Sequence, residues 1–222
     1  MRIESNEKLG TRKQIKAFYD HLGRLLDTQR FFKQPALNQM LKYSKFEEAR
    51  FVYELGCGTG RVAEKILMMN SDLRYSGIEL SSTMTELTRK RLARFGDRAT
   101  VCLSNGDPKI SLSDGVADRF VSTYVFDLMP VAEITSVVDE AHRILNSDGR
   151  ICLVSLTESN QRVGRALTSM WSNVHQLNPM LMGGCRPIEL TQFIEQNRWQ
   201  ILHLGRASRL GLTSEVLIAR KA

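Results

Sequence analysis

The sequence predicts an α/β fold: a doubly wound, mostly parallel seven-stranded sheet with a C-terminal antiparallel hairpin, an N-terminal helical cap and an inserted lid. From residue 51 onward, short β-prone apolar runs alternate with segments whose apolar residues recur at helical spacing. Such alternation is typical of a parallel sheet with helices on both faces. A glycine-rich stretch joins the first run to the first helix. Near the C-terminus, about nine residues (205–213) join two β-prone runs, too few for a helical crossover, so those strands must be antiparallel.

Two helices are predicted in residues 1–50, ahead of the first strand. Thr11 to Gln14 has the pattern of a capping box. The apolar residues that follow it recur at helical spacing: Ile15, Phe18, Tyr19, Leu22, Leu25 and Leu26. Pro35 suits the first turn of a second helix, whose apolar side is predicted to consist of Leu37, Met40, Leu41 and Phe46. Because these helices precede the first strand, we expect them to pack on the sheet or to cap its edge.

The cofactor-binding core is predicted over residues 51–156. Its strands are predicted at residues 51–55, 74–79, 99–103, 119–125 and 149–155, and its helices at 60–69, 82–95 and 132–145. The segment 104–118 is too short for a full helix, and Asn146 to Gly149 has the composition of a turn.

The remainder of the chain departs from this rhythm. Residues 157–186 are predicted to form a lid that contacts the substrate. Residues 187–222 are predicted to form a closing helix, from Pro187 to about Gln196, and the hairpin strands near 199–204 and 214–220. No linker divides the chain, so a single domain is expected over residues 1–222.

The composition is that of a globular protein. Hydrophobic residues make up 42% of the 222 residues and charged residues 25%. The first residues contain no apolar signal-peptide region and no apolar run is long enough for a membrane helix, so a cytoplasmic location is expected. The four cysteines lie far apart without a CxxC pair, and three lie in predicted core strands or the glycine loop. This pattern indicates reduced thiols and argues against a metal site.

The formal net charge is +7, and the basic excess lies in residues 1–50 and 141–222. Such an excess permits an anionic partner, whether an acidic substrate, RNA or a peripheral membrane contact. A solvated surface explains it equally well. The densest basic run, Arg89 to Arg91 with Arg94 and Arg98, lies on a predicted helix whose apolar residues face inward. We interpret this run as an outer helix face and do not expect nucleic acid as the partner.

A glycine loop from Glu54 to Gly60 connects the first predicted strand to its helix. Such a loop brings backbone N–H groups and a helix N-terminus to one point, where a cofactor is held. A dinucleotide fold would need a third glycine in the pattern GxGxxG, but residue 61 is arginine. The acid Glu54 would repel a diphosphate and suits a cationic amino acid group better. A phosphate-binding P-loop is excluded because no GKT or GKS follows.

The stretch from Glu54 to Gly60 resembles motif I of the class I S-adenosylmethionine-dependent methyltransferases. Further segments resemble the family in the same order: Gly77 to Ser81, Asn105 to Asp107, Asp118 to Asp127, and Glu140 to Leu145 followed by Gly149. The resemblance covers about residues 51–156, and the closing hairpin agrees with the seven-stranded sheet of the family. It implies an enzyme that uses S-adenosylmethionine as its cofactor.

The resemblance also implies a set of cofactor-binding residues: Tyr19, Glu54, Gly56, Cys57, Gly58, Gly60, Glu79, Leu80, Met84, Gly106, Asp107 and Tyr124. In this set Glu54 is expected to help fix the ammonium group of the cofactor, directly or through water. Glu79 is expected to accept hydrogen bonds from the ribose hydroxyls, and Asp107 to bind the adenine amino group. The glycines let the backbone approach the cofactor, and Leu80 and Met84 sandwich the adenine. Two alternatives stay open, because core packing also explains Met84 and a surface position at a strand end also explains Glu79.

Methyl transfer from a sulfonium is an in-line displacement, to which alignment and desolvation contribute much. A base is needed only when the nucleophile is protonated. Asp127 is the first candidate base, Tyr124 is expected to line the methyl channel, and His175 is a second candidate base. Tyr19 resembles the tyrosine that many small-molecule methyltransferases fold over the cofactor. Each of these has a structural alternative: helix capping for Asp127, packing for Tyr19 and a surface position for His175.

The acceptor is predicted to be small and apolar or amphipathic, such as a lipid-like, quinone-like or polyketide-like molecule. Trp171 belongs to an apolar wall of the predicted lid, and Arg186 is a candidate ligand for a substrate carboxylate or phosphate, unless it only braces the hinge. The fourth strand is followed neither by an Asn/Asp-Pro-Pro-aromatic motif nor by a cysteine, which argues against methylation of nucleic-acid bases. Two alternatives stay open: a catalytically silent methyltransferase-like binding subunit and an RNA methyltransferase. The sequence does not indicate an oligomeric state.

Overall fold

The computed structural model describes residues 9–22, 30–159 and 184–222. In the described part, seven strands form one sheet and five α-helices pack around it. The strands are β1 (Phe51–Leu55), β2 (Arg74–Glu79), β3 (Ala99–Leu103), β4 (Ala117–Thr123), β5 (Leu145–Thr157), β6 (Trp199–Arg209) and β7 (Leu212–Lys221). The helices are α1 (Arg12–Leu22), α2 (Arg30–Tyr43), α3 (Arg61–Met69), α4 (Ser82–Leu92) and α5 (Val131–Ile144).

The sheet has the order β3-β2-β1-β4-β5-β7-β6, with five parallel strands followed by the antiparallel pair β7 and β6. The predicted fold class is therefore confirmed. The chain order reverses between β1 and β4, because β2 and β3 lie on one side of β1 and the later strands lie on the other. In open α/β sheets, ligands bind in the crevice at the carboxyl ends of the strands next to such a reversal.

Apolar residues are buried on both faces of the sheet. One cluster joins α2 and α3 to the sheet through Met40, Ile66, Tyr75 and Ile218. The other joins α5 to the opposite face through residues such as Ile134. Complete burial of a large aliphatic or aromatic side chain contributes roughly 1.5–3 kcal/mol. The central strands are consequently a rigid base for the loops at their carboxyl ends.

The helical cap is present, but its second helix begins earlier than predicted. The capping box of α1 is confirmed, since the Gln14 side chain accepts a hydrogen bond from the Thr11 N–H (2.9 Å) and the Thr11 hydroxyl accepts one from the Gln14 N–H (3.3 Å). Pro35 was expected in the first turn of the second helix, and it instead lies inside α2. A proline there lacks the N–H of an interior helical residue. Burial of neighbouring Ala36 and Met40 against the sheet offsets this loss. Phe46 lies beyond α2 in a short 3₁₀ turn.

Tertiary contacts overrode the prediction of a helix from Pro187 to about Gln196. Only a short 3₁₀ turn forms there, at Leu190–Phe193. The Ile188 N–H donates to the Leu156 carbonyl (2.8 Å) and the Leu190 N–H donates to the Glu215 carboxylate (2.7 Å). These bonds to β5 and β7 take the place of helical ones.

The closing hairpin is longer and tighter than predicted. The antiparallel pairing of β6 and β7 is confirmed, but the predicted connection of about nine residues is wrong: β6 ends at Arg209, β7 begins at Leu212, and only two residues form the turn. Cross-strand pairing extends through residues that sequence analysis assigned to a loop. Hydrophobic alternation is weak there, because most of these residues lie in the edge strand β6, where the side chains are largely exposed.

Three smaller boundaries also differ from the predictions. The helix predicted over residues 82–95 ends at Leu92 and continues as a 3₁₀ segment. The fourth strand ends at Thr123, because Tyr124 adopts a left-handed conformation. The turn predicted at residues 146–149 exists as an Asx turn, in which Asn146 accepts a hydrogen bond from the Asp148 N–H (3.1 Å), inside the long strand β5.

The structure bears only in part on the predictions about the lid, the cysteines, membrane helices and metal sites. Most of the predicted lid, with Trp171 and His175, lies outside the described residues. Within the described residues, Cys102 is exposed on the edge strand β3, which corrects its placement in the core, whereas Cys57, Cys152 and Cys185 are buried. The described helices include none long and apolar enough to cross a membrane. The described residues also contain no cluster of three or more metal-ligating side chains.

Candidate active site

A cavity of about 520 Å³ lies at the carboxyl ends of β1, β2 and β4, where the chain order of the sheet reverses. Its walls come from the glycine loop after β1, the start of α4, the loop after β3, the residues after β4, and the helices α1 and α2. Its volume lies within the range of roughly 300–1,000 Å³ that is usual for small-molecule sites.

Glycine occupies the three positions of the loop for different structural reasons. All three have positive φ angles, of 72° at Gly56, 54° at Gly58 and 76° at Gly60. A Cβ at Gly60 would lie 2.7 Å from Cγ2 of Thr88 in α4, and a Cβ at Gly56 would collide with Val125. A Cβ at Gly58 would meet nothing within 4 Å. Gly56 and Gly58 line the cavity and Gly60 does not, so Gly60 serves the packing of α3 on α4.

Glu79, at the end of β2, is held in the cavity wall by backbone donors. Its two carboxylate oxygens accept hydrogen bonds from the Gly58 N–H (2.8 Å) and the Ser81 N–H (3.0 Å). Burial raises the pKa of Glu79, and these backbone hydrogen bonds oppose that rise. Each carboxylate oxygen has a further lone pair. Glu79 is therefore fixed in a geometry that suits two ribose hydroxyls.

Glu54 lies behind the cavity wall rather than in it. Its side chain is buried in β1 and accepts a hydrogen bond from the Tyr75 hydroxyl (2.6 Å), while its other oxygen has no hydrogen-bond partner among the described residues. Burial raises the pKa of Glu54 to about 8, although the bond from Tyr75 opposes the rise. The carboxyl group is consequently neutral at pH 7. The predicted role at the cofactor ammonium has no direct geometric support in this arrangement.

The predicted adenine-binding residues do come together. Leu80, Met84, Gly106 and Asp107 all line one end of the cavity. Met84 is also buried, so lining the cavity and core packing are compatible for it. Asp107 is exposed, and its carboxylate accepts a hydrogen bond from the Lys109 N–H (2.9 Å), which fixes the loop after β3.

Tyr124 directly follows β4 and lines the other end of the cavity. Its φ of 56° is a strained conformation for a non-glycine residue, of the kind that clusters at functional sites. Two bonds hold it there: its N–H donates to the Val154 carbonyl (2.7 Å), and its hydroxyl shares a hydrogen bond with Ser214 (2.8 Å). Burial raises the pKa of Tyr124.

Asp127 lies three residues further on and is completely buried beside the cavity, not in its wall. Neither carboxylate oxygen has a hydrogen-bond partner among the described residues. Burial raises the pKa of Asp127 to about 6, and the positive charge of Lys33 is the main opposing influence. The predicted alternative of helix capping is not seen, because Pro130 occupies the N-cap of α5.

Tyr19 and Cys185 adjoin Asp127. Tyr19 lines the cavity from α1, and its pKa is raised well above the usual value by burial, by Cys185 and by Asp127. Burial and Asp127 also raise the pKa of the Cys185 thiol. Arg186 does not line the cavity. Its N–H donates to the Asp127 carbonyl (3.1 Å) and its guanidinium donates to the Met129 carbonyl (2.8 Å), so it braces the loop after β4.

Each N-terminal helix contributes a charged side chain to the cavity that was not predicted from the sequence. Arg12 of α1 packs against Gly106 and forms an ion pair with Glu133 (2.8 Å). From α2, Lys33 places its ammonium 4.6 Å from the ring centre of Tyr124. The feature of the sequence that could have identified Lys33 is its helical spacing. Lys33, Leu37 and Leu41 are four residues apart and share one face, and all three line the cavity.

The chain is similar to known proteins over the region that builds this cavity. Residues 52–149 match the family described as "Methyltransferase domain". One curated relative is the carboxy-S-adenosyl-L-methionine synthase of Campylobacter lari, 22% identical over 142 residues, which are 63% of this chain and 58% of that protein. Another is the ubiquinone/menaquinone biosynthesis C-methyltransferase UbiE of Geotalea uraniireducens, 26% identical over 154 residues, 67% of this chain and 63% of the relative. The chain thus spans about three fifths of the length of these relatives.

Solved structures extend the similarity to nearly the whole chain. The geranyl diphosphate C-methyltransferase of Streptomyces coelicolor, determined with Mg²⁺, geranyl diphosphate and S-adenosyl-L-homocysteine, superposes with a TM-score of 0.68 at 11% identity. The match covers 95% of this chain and 97% of that structure. The matched segment, the sheet order and the cavity are together similar to those of the class I S-adenosylmethionine-dependent methyltransferases. The cofactor of that class is S-adenosylmethionine, and the backbone-held carboxylate of Glu79 has free lone pairs that could accept hydrogen bonds from its ribose hydroxyls.

Proposed function

We propose that this protein transfers the methyl group of S-adenosylmethionine to a small, apolar or amphipathic acceptor. The observation that carries the proposal is the cavity itself. One end joins Glu79, the glycine loop and the predicted adenine-binding residues, and the other joins Tyr124, Lys33 and Tyr19. A cofactor that lies along the first end directs its sulfonium toward the second.

The acceptor end supports a small molecule rather than a macromolecule. Leu37, Leu41, Leu128 and Met129 provide an apolar wall there, and the helices α1 and α2 lie over the cavity. The relatives named for ubiquinone/menaquinone biosynthesis and for geranyl diphosphate act on small molecules. Within this proposal, Tyr124 lines the path of the methyl group and Asp127 accepts the proton of the acceptor.

Cofactor binding tests the first half of the proposal. In calorimetry, S-adenosylhomocysteine is expected to bind with micromolar affinity. Glu79→Ala is expected to weaken binding by at least about a hundredfold, because two hydrogen bonds to a carboxylate contribute roughly 1.5–3 kcal/mol each. Lys109→Ala, a change at an exposed side chain near the same end, is the control and should bind normally. Absence of binding to the unaltered protein would contradict the proposal.

A turnover assay tests the second half of the proposal, the transfer of the methyl group to a small acceptor. Labelled S-adenosylmethionine and a cell extract should give label in the small-molecule fraction. Binding without any transfer would indicate a silent binding subunit. Label in RNA, with strong dependence of binding on salt, would indicate an RNA methyltransferase instead.

A further inference from the structure

We propose that Lys33 is the acceptor-recognition residue of the cavity and that it selects an oxygen or carbon acid, such as a phenol or an enolisable carbonyl compound, over an amine. This inference rests on the proposed methyl transfer and names the substrate class of that same site. It concerns a residue of α2, outside every segment that resembles the methyltransferase motifs.

The position of Lys33 in the cavity wall supports its role in acceptor recognition. Its ammonium lies 4.6 Å from the ring centre of Tyr124, against the residue that directly follows β4. Both side chains line the cavity, and the lysine side chain is only partly exposed. An ammonium over an aromatic face gains a cation–π attraction, which holds it in place. An acceptor that lies beside Tyr124 therefore lies beside a fixed positive charge.

The positive sign of the charge on Lys33 favours an acid over an amine as the acceptor. The methyl donor is a sulfonium cation until its methyl group is transferred, so an acceptor atom beside both the sulfonium and Lys33 experiences two positive charges. Nearby positive charge stabilises a phenolate or enolate and lowers the pKa of its conjugate acid. The same charge repels an ammonium, and it also opposes the positive charge that an amine acquires as it is methylated. The site thus favours a nucleophile that carries negative charge once its proton is lost.

The buried carboxyl group beside the cavity also supports this inference. Both oxygens of Asp127 are buried without a hydrogen-bond partner among the described residues, which is costly for a carboxylate. The charged and titratable groups that influence it are Lys33 from α2, Tyr19 from α1, Tyr124, and Cys185 and Arg186 from the segment before β6. With a pKa of about 6, Asp127 is mostly ionised at pH 7 and is able to take up a proton.

The proton of the acceptor therefore has a defined destination. As the bond between the acceptor atom and its hydrogen breaks, the proton goes to the carboxylate of Asp127. The pKa of Tyr19 lies well above the usual value, so the Tyr19 hydroxyl stays protonated. The electron pair left on the acceptor atom forms the bond to the methyl carbon. The carbon–sulfur bond breaks with its electron pair going to sulfur, and S-adenosylhomocysteine results.

The experiment first separates a small-molecule cell extract on an anion exchanger at about pH 10, where phenols and other acids are retained as anions. Each fraction is then incubated with labelled S-adenosylmethionine and the protein. The unaltered protein should label the retained fraction. Lys33→Met should raise KM for that fraction at least tenfold, and Lys33→Arg should largely restore it. Lys42→Met, an exposed lysine of the same helix, is the matched control. S-adenosylhomocysteine affinity should be unchanged in all three variants, which verifies folding.

A second readout separates recognition from mere packing. The acidic limb of the kcat/KM profile, near pH 6, should move upward by roughly one unit in Lys33→Met, because the charge that keeps Asp127 ionised is gone. Methyl transfer only to acceptors of the unretained fraction would overturn the inference while leaving methyl transfer intact. Transfer to acceptors of the retained fraction with unchanged KM and unchanged pH profile in Lys33→Met would overturn it as well. No label in any fraction would contradict methyl transfer itself.

Discussion

At the scale of single residues, two buried carboxyl groups near the cavity differ in protonation because their neighbours differ. Burial raises the pKa of Glu54 to about 8; the hydrogen bond from Tyr75 opposes the rise and the negative charge of Glu79 adds to it. Asp127 has the positive charges of Lys33 and Arg186 as neighbours, and its pKa rises only to about 6. At neutral pH the first is therefore protonated and the second is mostly ionised. This separation suits a structural role for one and a proton-accepting role for the other.

The raised pKa of Glu54 predicts a specific dependence of stability on pH. Glu54 favours the proton more in the folded protein than in the unfolded chain, where its pKa is 4.5. Its stabilising contribution is therefore complete below pH 4.5 and is lost as the pH rises to about 8. Relative to Glu54→Gln, which does not titrate, the unaltered protein should lose about 3–5 kcal/mol over this range.

The measurement is urea unfolding of both proteins, without cofactor, at a series of pH values. The difference in the free energy of unfolding between them removes contributions from all other titrating groups, including Asp127. Parallel curves for the two proteins would show that Glu54 is ionised in the folded state at neutral pH.

At the scale of elements, the glycine loop combines two functions that the sequence pattern does not separate. Gly58 leaves open space toward the cavity, whereas Gly60 allows α3 to approach Thr88 of α4. The Thr88 hydroxyl donates to the Gly58 carbonyl (2.6 Å), so the same contact also orders the loop. One face of the loop thus lines the cavity and the other packs against a helix.

Alanine substitutions should distinguish these two functions. Gly60→Ala should lower the free energy of unfolding by about 2–5 kcal/mol, since a positive φ costs an L-residue roughly 1–2 kcal/mol and the contact with Thr88 adds overpacking. Gly58→Ala should cost only the first of these amounts and should instead weaken S-adenosylhomocysteine binding at least tenfold. Chemical denaturation and calorimetry measure the two effects. Equal destabilisation by both substitutions would contradict this separation of roles.

At the scale of the whole molecule, the two N-terminal helices cover part of the crevice at the carboxyl ends of the strands. Helix α2 packs on the strands β5, β6 and β7, and α1 rests on α4 at the cofactor end. Asp20 of α1 accepts hydrogen bonds from the Ser81 hydroxyl (2.5 Å) and the Thr83 N–H (3.3 Å) at the N-terminus of α4. The bond from Lys16 and those from Ser81 and Thr83 overcome the effect of burial and lower the pKa of Asp20 to about 2.

Removal of this attachment should loosen the cover without disturbing the sheet. In Asp20→Ala, S-adenosylhomocysteine should dissociate about tenfold faster, because hydrogen bonds to a charged group contribute roughly 1.5–3 kcal/mol and part of that stabilises the closed helix. Stopped-flow displacement measures the rate, and Lys13→Ala, at an exposed position of α1, is the control. An unchanged dissociation rate with normal folding would show that α1 does not limit escape of the cofactor.

The sequence by itself predicted the sheet and the cofactor, and it predicted that the glycine loop and Glu79 lie at one edge of the sheet. Strand periodicity, glycine spacing and an acid such as Glu79 at a strand end are local properties, and the parallel sheet brings its carboxyl ends together wherever they lie in the chain. Tertiary contacts determined the features of the fold and the site that local sequence patterns did not predict. The helix expected after Pro187 gave way to bonds with β5 and β7, and Glu54 turned toward Tyr75 instead of the cavity. Lys33, more than 90 residues before Tyr124 and in a helix without a motif, became its neighbour only through long-range packing. Burial and the sign of neighbouring charges are properties of the assembled fold, so no local pattern records them.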